Sequence, residues 1–493
     1  MNLLSMRTII PGKAWVGRDS LNALLTRLAL WGTYLMLALL SVQRDDMVPL
    51  KIPLGSMRLS EIVAAAVLVV LVVRSLVRPT QPLKGPKRIT MLIGLFLGVM
   101  FLSSFMSAQI TWGPNEHVFI RRLDREVPFI KSYTTMLAWL LGIAVFYVIV
   151  LVIDTPDRLK QAFQWWIVGG AICSAVGIYS APAAMFGWPL GDLLGVSWRG
   201  ANATEWGDDR LPRIIGLAQE PRHLAIFLAA MLPFLVLVTM RKVYVLPRIV
   251  QWTCLVICGL AYLLTLSRST VVYGVALLGL FLIFVPFAEK RLRLGRFLRM
   301  LIAITLLVGA LGAVVNLLLQ MFGLPDILTV AGLQFESLVD TRNYSNWQQD
   351  AAWTIGWRAF RDYPLLGVGI GNLSFFADRY IPPQPDWLGI GAYWTAVPVN
   401  NIYLDLLSEM GLVGLVAFGL FVTYLTRQGW RATRKAGPTG STIVLGLLGG
   451  FLMLLIAFVF FSAFFFAYVW ALIGLSFVSA RLVLRQPDCL ECM

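Results

Sequence analysis

The sequence predicts an all-α, polytopic integral membrane protein with about 12 transmembrane helices and a large outer-side loop between spans 9 and 10. Of its 493 residues, 58% are hydrophobic and 14% are charged, whereas a soluble globular protein carries about 25% charged residues. The apolar residues also cluster in blocks of about 18 to 25, the length needed to cross a hydrocarbon core of about 30 Å. These two observations exclude a soluble fold.

The apolar blocks divide the chain into successive spans. The predicted spans cover residues 24–41, 59–76, 90–107, 134–153, 161–181, 216–239, 249–266, 270–287, 300–322, 402–426, 441–460 and 463–483. They define a membrane domain over residues 1–322, an outer-side (periplasmic) loop over residues 323–399, and a second membrane domain with a cytoplasmic tail over residues 400–493.

The distribution of charge predicts the orientation of these spans. The net charge is +15, and Lys and Arg concentrate in alternate loops, such as AEKRLRLGRFLR and TRQGWRATRKAGPTG. Cytoplasmic loops are enriched in Lys and Arg, so both termini are predicted to be cytoplasmic. The basic balance therefore reflects topology, and we expect no nucleic-acid partner.

The loop 323–399 is far longer than an ordinary connection, which predicts an ordered functional element. Within it, SNWQQDAAWTIGWRAFRDYP places Trp353, Trp357 and Phe360 on one helical face, with Arg358 nearby. This pattern is typical of an amphipathic helix in the membrane interface. The later segment PLLGVGIGN predicts a tight turn with glycines at positive φ, because it lacks the Lys-Ser/Thr of a phosphate-binding loop.

Charged groups at membrane depth are costly and mark candidate functional sites. The outer-side candidates are Arg213, Glu220, Arg222, His223, Arg268 and the ladder of Asn401, Asp405 and Glu409. If these helix ends converge, they form an outward cavity in which arginines face carboxylates. Paired arginines suit a diphosphate, and a carboxylate can accept a proton from a hydroxyl.

Structural alternatives apply to each of these residues. Arg213 and Arg268 suit surface anchoring by snorkelling, and His223 suits a polar position at a helix start. The two ladder carboxylates suit structural pairing with arginines or backbone. At the other end of the chain, Cys489-x-x-Cys492 has too few ligands for a metal site, and we expect a dangling tail.

Four segments in order resemble the O-antigen ligase and Wzy-type polymerase superfamily of membrane glycosyltransferases. They are Arg213-x-x-Gly216, LSRS with Arg268, PLLGVGIGN, and NNIYLDLLSEMGLVG, which is similar to the family pattern HN-x-Y-L-x-x-L-x-E-x-G-x-x-G. The resemblance implies a GT-C-like helical fold that acts on undecaprenyl-diphosphate-linked glycans at the outer side of the bacterial cytoplasmic membrane. It implies neither a nucleotide sugar nor a bound metal, and hence no cofactor.

The resemblance also implies roles for individual residues. Arg213 and Arg268 would contact the donor diphosphate; from its own position near the sixth span, Arg222 is a further candidate for binding the diphosphate. The ligases use a His where this chain has Asn400, while Glu220-Pro221 is similar to a pair in some polysaccharide polymerases. We therefore favour a polymerase of O-antigen or exopolysaccharide chains over an O-antigen ligase or protein O-oligosaccharyltransferase.

In the polymerase interpretation, one lipid-linked glycan is the donor and a second is the acceptor. Glu220 would accept the proton of the acceptor hydroxyl, with Glu409 and Asp405 as less favoured bases. Residues expected to contact glycan or lipid are His223, Asn400, Asn401, Tyr403, Trp353, Trp357 and Arg358. The expected partners are membrane lipid, a chain-length regulator and a flippase. A lipid or solute transporter is the alternative class, although the chain lacks the two related halves typical of such folds.

Overall fold

The computed structural model describes most of the predicted membrane domain. The described residues are 13–43, 51–52, 55–77, 85–107, 128–190, 197–198, 212–267, 272–276, 279, 294–321, 323, 326, 328–329, 332, 336, 340, 344–383, 399–462 and 464–491. Arg268 and Cys492 lie outside this part of the chain, as does nearly all of the predicted span 270–287.

The described residues form a helical bundle, which confirms the predicted all-α class. The helices are α1 Lys13–Ala38, α2 Leu59–Val77, α3 Lys87–Ser107, α4 Pro128–Val152, α5 Pro156–Phe186, α6 Pro221–Met240, α7 Arg248–Leu264, α8 Leu294–Met321, α9 Tyr344–Asp362, α10 Ala377–Tyr380, α11 Ile402–Lys435, α12 Pro438–Ala457 and α13 Ala467–Arg485. Two-residue antiparallel ladders in the connections pair Lys51–Ile52 with Gly55–Ser56, and Ser197–Trp198 with Pro212–Arg213.

Within the described residues, ten helices are long and apolar enough to cross a membrane. They correspond to ten of the predicted spans, and the protein is therefore a multi-pass membrane protein. Helix α7 occupies an eleventh predicted position and is shorter, at 17 residues. Helix α9 lies in the predicted outer loop and covers the segment that is predicted to form an amphipathic helix.

Helices α6, α12 and α13 form the centre of the bundle. Of the residues in the most apolar 18-residue stretch of each helix, 94% are buried in α6 but only 11% in α8. Helices α6 and α12 approach closely because glycines face the contact: a Cβ on Gly446 would lie 2.9 Å from the Cα of Phe234, and one on Gly450 would collide with the carbonyl of Ala230. Small residues at membrane-helix contacts permit this close packing.

The alternating direction of the helices gathers several connections at one end of the bundle. This end carries the starts of α2, α6, α11 and α13, together with α9 and its own small hydrophobic core around Ile355, Ala359 and Phe376. By the predicted orientation it is the outer side, and we term it the predicted outer end. The opposite end carries the connection between α11 and α12 and the C-terminal tail.

The C-terminal tail is docked, so the expectation of a dangling tail is wrong. Leu490 is fully buried, and Cys489 is half-buried. The carboxylate of Glu491 accepts backbone hydrogen bonds at 3.1 Å from Thr439 and from Gly440, in the first turn of α12. Because the N-cap residue of α12, Gly437, has no side chain to accept these bonds, the tail caps this helix.

Candidate functional site at the predicted outer end

The start of α6 places three candidate residues side by side. Glu220 is the N-cap residue, with an extended backbone, and its exposed side chain makes no capping hydrogen bond. Pro221 occupies the first helical turn, where its fixed φ fits and its missing N–H costs nothing. Arg222 and His223 follow, and His223 is buried between the rings of Phe461 and Phe466. The carboxylate of Glu220 is therefore not engaged in capping its own helix.

Arg213 is attached to the end of α7. Its Nε donates to the carbonyl oxygen of Thr265 at 3.2 Å, and the N–H of Ile214 lies 3.4 Å from the carbonyl oxygen of Leu264. Gly216 then turns the chain at φ +61°, where a Cβ would lie 2.7 Å from the carbonyl oxygen of Cys173. The Arg-x-x-Gly spacing thus reflects a turn that is pressed against α5.

The start of α11 contains the first members of the polar ladder. Asn401 caps the helix, since its side-chain oxygen accepts from the N–H groups of Tyr403 and Leu404 at 3.1 and 3.2 Å. Asn400 precedes it at φ +54°, a left-handed conformation in which Asn is enriched. The hydroxyl of Tyr403 donates to the carbonyl oxygen of Leu455 at 2.6 Å. These contacts give Asn401 and Tyr403 defined structural roles.

Asp405 and Glu409 share one helix face, as their spacing predicts, but they have different surroundings. Asp405 is 9% exposed, and its carboxylate faces the hydroxyl of Ser462 and the backbone N–H of Val399. Glu409 is half-buried, and its carboxylate faces the backbone N–H groups of Gly371 and Leu373. The expected arrangement of arginines facing these carboxylates is not what these contacts show.

Ion pairs between described residues are found elsewhere in the bundle. They join Arg58 with Glu61, Arg158 with Asp154, and Arg379 with Asp362. Lys131 of α4 places a positive charge near Glu409. The groups that the two ladder carboxylates face are thus backbone N–H groups, a hydroxyl and a lysine.

A break in α11 follows Glu409. Gly411 has φ +66° and ψ −167°, which is not a helical conformation. The regular series of backbone hydrogen bonds along α11 is therefore interrupted there. The glycine turn, residues 364–372, fills the break. Its N–H groups at Val368 and Gly369 donate to the carbonyls of Ser408 and Glu409 at 2.9 Å, while the carbonyl of Pro364 accepts from Leu412 at 2.8 Å.

The glycine turn has the conformation that its sequence predicts. Gly367, Gly369 and Gly371 have φ of +67°, +93° and +77°. A Cβ on Gly367 would collide with the backbone carbonyl of Glu409. The hydroxyl of Ser103, in α3, lies 2.6 Å from the carbonyl oxygens of both Leu366 and Glu409. The turn is therefore a structural component of the membrane bundle.

Helix α9 presents its aromatic residues to two different environments. The ring of Trp353 lies 6.3 Å from that of Phe460. Trp357 is 51% exposed and packs at 5.5 Å on Phe360, as expected of an interfacial residue. Arg358 donates to the carbonyl oxygen of Tyr380 at 3.0 Å, and this bond positions α10 beside α9.

One connection brings several predicted residues together. It is the phenylalanine turn, residues 458–466 between α12 and α13, in which position 463 is not described. It contacts Arg222 and His223 through Phe461, and Trp353 through Phe460. Its carbonyl at Phe458 accepts from the N–H of Ile402 at 2.9 Å. Arg213 is placed instead by α7, and Glu409 by the glycine turn.

Sequence reasoning missed Arg58, which joins this assembly from the start of α2. Its guanidinium carbon lies 3.8 Å from the ring centroid of Phe466, and its Nη1 is 3.0 Å from Oε1 of Glu61. The Arg-x-x-Glu spacing at the boundary of a predicted span was the available signal. The partner ring lies far along the chain, so the sequence alone could not locate it.

The fold and this site define a multi-pass helical membrane protein with charged and aromatic residues gathered at one end of the bundle. Residues 253–419 match the family model Wzy_C, described as O-antigen ligase. The match begins within α7 and ends within α11. Over this segment, about a third of the chain, it confirms the resemblance to the O-antigen ligase and Wzy-type superfamily.

The match supports a glycosyltransferase-like function of the O-antigen ligase or polymerase type, acting on a lipid-linked glycan and an acceptor. Of the predicted residues, it includes Arg268, the aromatic residues of α9 and the whole Asn401–Glu409 ladder. Arg213 and the start of α6 precede it. No curated protein significantly matches the chain.

Proposed function

We propose that this protein is a polymerase that joins undecaprenyl-diphosphate-linked oligosaccharide repeat units into O-antigen or exopolysaccharide chains. The observation that carries this proposal is the attachment of Arg213 to Thr265 at the end of α7. Arg268 follows Thr265 by three residues in the chain. Chain connectivity alone ties Arg268 to this end of α7, and the proposal is that both arginines contact the donor diphosphate.

Glu220 is the proposed general base. It lies at the same end of the bundle, is exposed, and makes no capping hydrogen bond with α6. A base must be free to reach the proton of an incoming hydroxyl. Asp405 is enclosed and Glu409 faces backbone donors of the glycine turn, so these carboxylates are better suited to positioning.

The reaction is a single displacement. A sugar hydroxyl of the acceptor attacks the anomeric carbon of the donor glycan, and a new glycosidic C–O bond forms. The bond from that carbon to the diphosphate oxygen breaks, so undecaprenyl diphosphate leaves with both bonding electrons, stabilised by the arginines. Glu220 takes the hydroxyl proton and later releases it to water. A single displacement inverts the anomeric configuration.

Asn400 supports a polymerase over a ligase. The ligases to which this chain is similar use a His at this position, and an Asn side chain cannot accept a proton near neutral pH. The neighbouring Asn401 is engaged in capping α11. We further propose that the protein lies in a bacterial cytoplasmic membrane with both termini inside, and that a flippase and a chain-length regulator serve it.

The test compares glycans from cells that lack this gene with glycans from cells restored with the native protein. A polymerase predicts that the deletion strain keeps single repeat units but loses the long ladder of chains on a gel. A ligase predicts instead that full-length chains persist on undecaprenyl diphosphate without reaching their acceptor. An unchanged pattern would favour a transporter and contradict both.

The clamp is tested with Arg213→Ala beside a matched control, Arg248→Ala. Arg248 is exposed at the start of α7, at the opposite end from Arg213. We expect R213A to abolish the ladder with an unchanged amount of membrane-inserted protein, and R248A to leave the ladder intact. A full ladder in R213A would remove Arg213 from the mechanism.

A further inference from the structure

A second group of basic side chains contacts the phenylalanine turn. The guanidinium carbon of Arg58 lies 3.8 Å from the ring centroid of Phe466, and that of Arg222 lies 5.1 Å from the centroid of Phe461. The two rings are stacked 5.9 Å apart. His223 meets both rings edge-on at 5.1 and 5.2 Å. We term Arg58, Arg222 and His223 the basic cluster.

The basic cluster has an excess of positive charge. Among the described residues, the carboxylate paired with this cluster is Glu61, whose Oε1 lies 3.0 Å from Nη1 of Arg58 and whose Oε2 accepts from the backbone N–H of Arg58 at 3.0 Å. Glu61 thus fixes the orientation of Arg58 and neutralises one guanidinium. Arg222 joins no ion pair among those of the described residues. An arginine is effectively always protonated, so one positive charge remains.

The cluster also contains polar atoms that have no protein partner. Among the described residues, this holds for the Nε atoms of Arg58 and Arg222, Nδ1 of His223, and the hydroxyl of the neighbouring Tyr468. Arg58 is only 9% exposed and His223 only 8%. Buried polar groups are normally hydrogen-bonded, because leaving them without a partner is costly. Several unpartnered groups in one place indicate a ligand that accepts hydrogen bonds.

We propose that the basic cluster binds the diphosphate of a second polyprenyl-linked glycan, the acceptor in chain growth. This inference rests on the proposed polymerase function, in which both substrates carry a polyprenyl diphosphate. Arg213 serves the donor, whereas the basic cluster is built from the starts of α2 and α6 and from the phenylalanine turn. Guanidinium forks bind phosphate oxygens in pairs, and the phenylalanine rings exclude water around them.

The competing interpretation is that Arg58 only packs against Phe466 and Glu61. A cation over an aromatic ring is itself stabilising, and so is a partly buried ion pair. Glu61 separates the two interpretations. If the ion pair is the purpose of Arg58, removing either partner has a similar effect. If the cluster binds an anion, Glu61→Gln keeps the binding charges and removes a competing carboxylate.

The experiment counts bound lipids on the full-length protein by native mass spectrometry, after reconstitution in nanodiscs of zwitterionic lipid. The probe is undecaprenyl diphosphate without glycan. We expect two bound molecules on the native protein and two on E61Q. We expect one on R58Q and one on R222Q, because losing a charge-assisted hydrogen bond weakens affinity about tenfold or more. The control R158Q removes an ion pair at the opposite end and should keep two.

Three results would overturn the proposal: one bound lipid on the native protein, two on both R58Q and R222Q, or equal displacement by phosphatidylglycerol, which would indicate a general headgroup site. R222Q keeps the test valid if R58Q misfolds, since Arg222 is partly exposed. The lipid count needs no turnover. The lipid count can therefore contradict the acceptor site while the glycan gel still indicates a polymerase. If instead the lipid count agrees with the proposal and the gel indicates a ligase, the basic cluster is an anion site but does not bind an acceptor.

Discussion

The break in α11 gives the sharpest test of how the site is constructed. Replacing Gly411 with Ala places a Cβ against the backbone of Leu365, with which it would collide. The backbone at φ +66° and ψ −167° is a conformation used almost only by Gly, and another residue there costs about 1–3 kcal/mol. The new side chain must therefore either strain α11 or displace the glycine turn.

Displacing the turn has a larger cost. Four backbone hydrogen bonds cross the break, with lengths of 2.9, 2.9, 2.8 and 3.3 Å. At about 0.5–1.5 kcal/mol each, they contribute roughly 2–6 kcal/mol. The substitution should then destabilise the protein by roughly 1–6 kcal/mol, depending on which of the two happens, against a typical unfolding free energy of about 5–15 kcal/mol.

Gly419→Ala is the matched control, in the same helix. Gly419 is exposed, and a Cβ there would meet nothing within 4 Å. Ala favours a helix over Gly by up to about 1 kcal/mol. We expect G411A to lower the midpoint of thermal unfolding in nanodiscs and to lose the glycan ladder, while G419A keeps both. Indistinguishable unfolding and glycans in the two variants would refute the role given to the break.

Three further predictions address other parts of the molecule. Glu220→Gln should abolish chain growth without changing protein abundance, whereas Asp157→Asn, a helix-start carboxylate at the opposite end, should not; equal gels would exclude Glu220 as the base. Glu491→Ala should destabilise the start of α12 by about 0.5–2 kcal/mol, measurable as a lower thermal midpoint, and the exposed Asp488→Ala should have no such effect. Burial raises the pKa of the Cys489 thiol. Because only the thiolate is alkylated, the rate at which Cys489 is labelled should still increase above about pH 8.5, the ordinary thiol pKa. A labelling rate that reaches its plateau below that pH would contradict the docked tail.

Much of the fold could be predicted because membrane helices are specified locally. Apolar length located ten spans. The glycines of PLLGVGIGN indicated positive φ, which the structure confirms. Each of these features follows from the chemistry of one short segment, with no knowledge of its neighbours.

The break at Gly411 and the basic cluster could not be predicted in this way. The segment IYLDLLSEMGLVG is compatible with a continuous amphipathic helix, and one glycine rarely interrupts such a pattern. The break exists because residues 364–369 supply the hydrogen bonds that the helix forgoes. Arg58 likewise acquires its surroundings from Phe466, which lies far along the chain. Both features depend on long-range packing, about which a local pattern carries no information.

The polar ladder shows how a correct spacing can conceal three different roles. Asn401 caps α11, Asp405 faces the phenylalanine turn, and Glu409 faces the glycine turn. The two turns come from opposite sides of α11 in the chain, and each contacts it through a ladder carboxylate. The first turns of α11 thus lie between the outer loop and the α12–α13 connection. The family match includes the described part of the outer loop but not this connection. Because the basic cluster contacts the second turn, a site for lipid-linked glycans at this end would require both parts of the chain, and residues 253–419 alone would not form it.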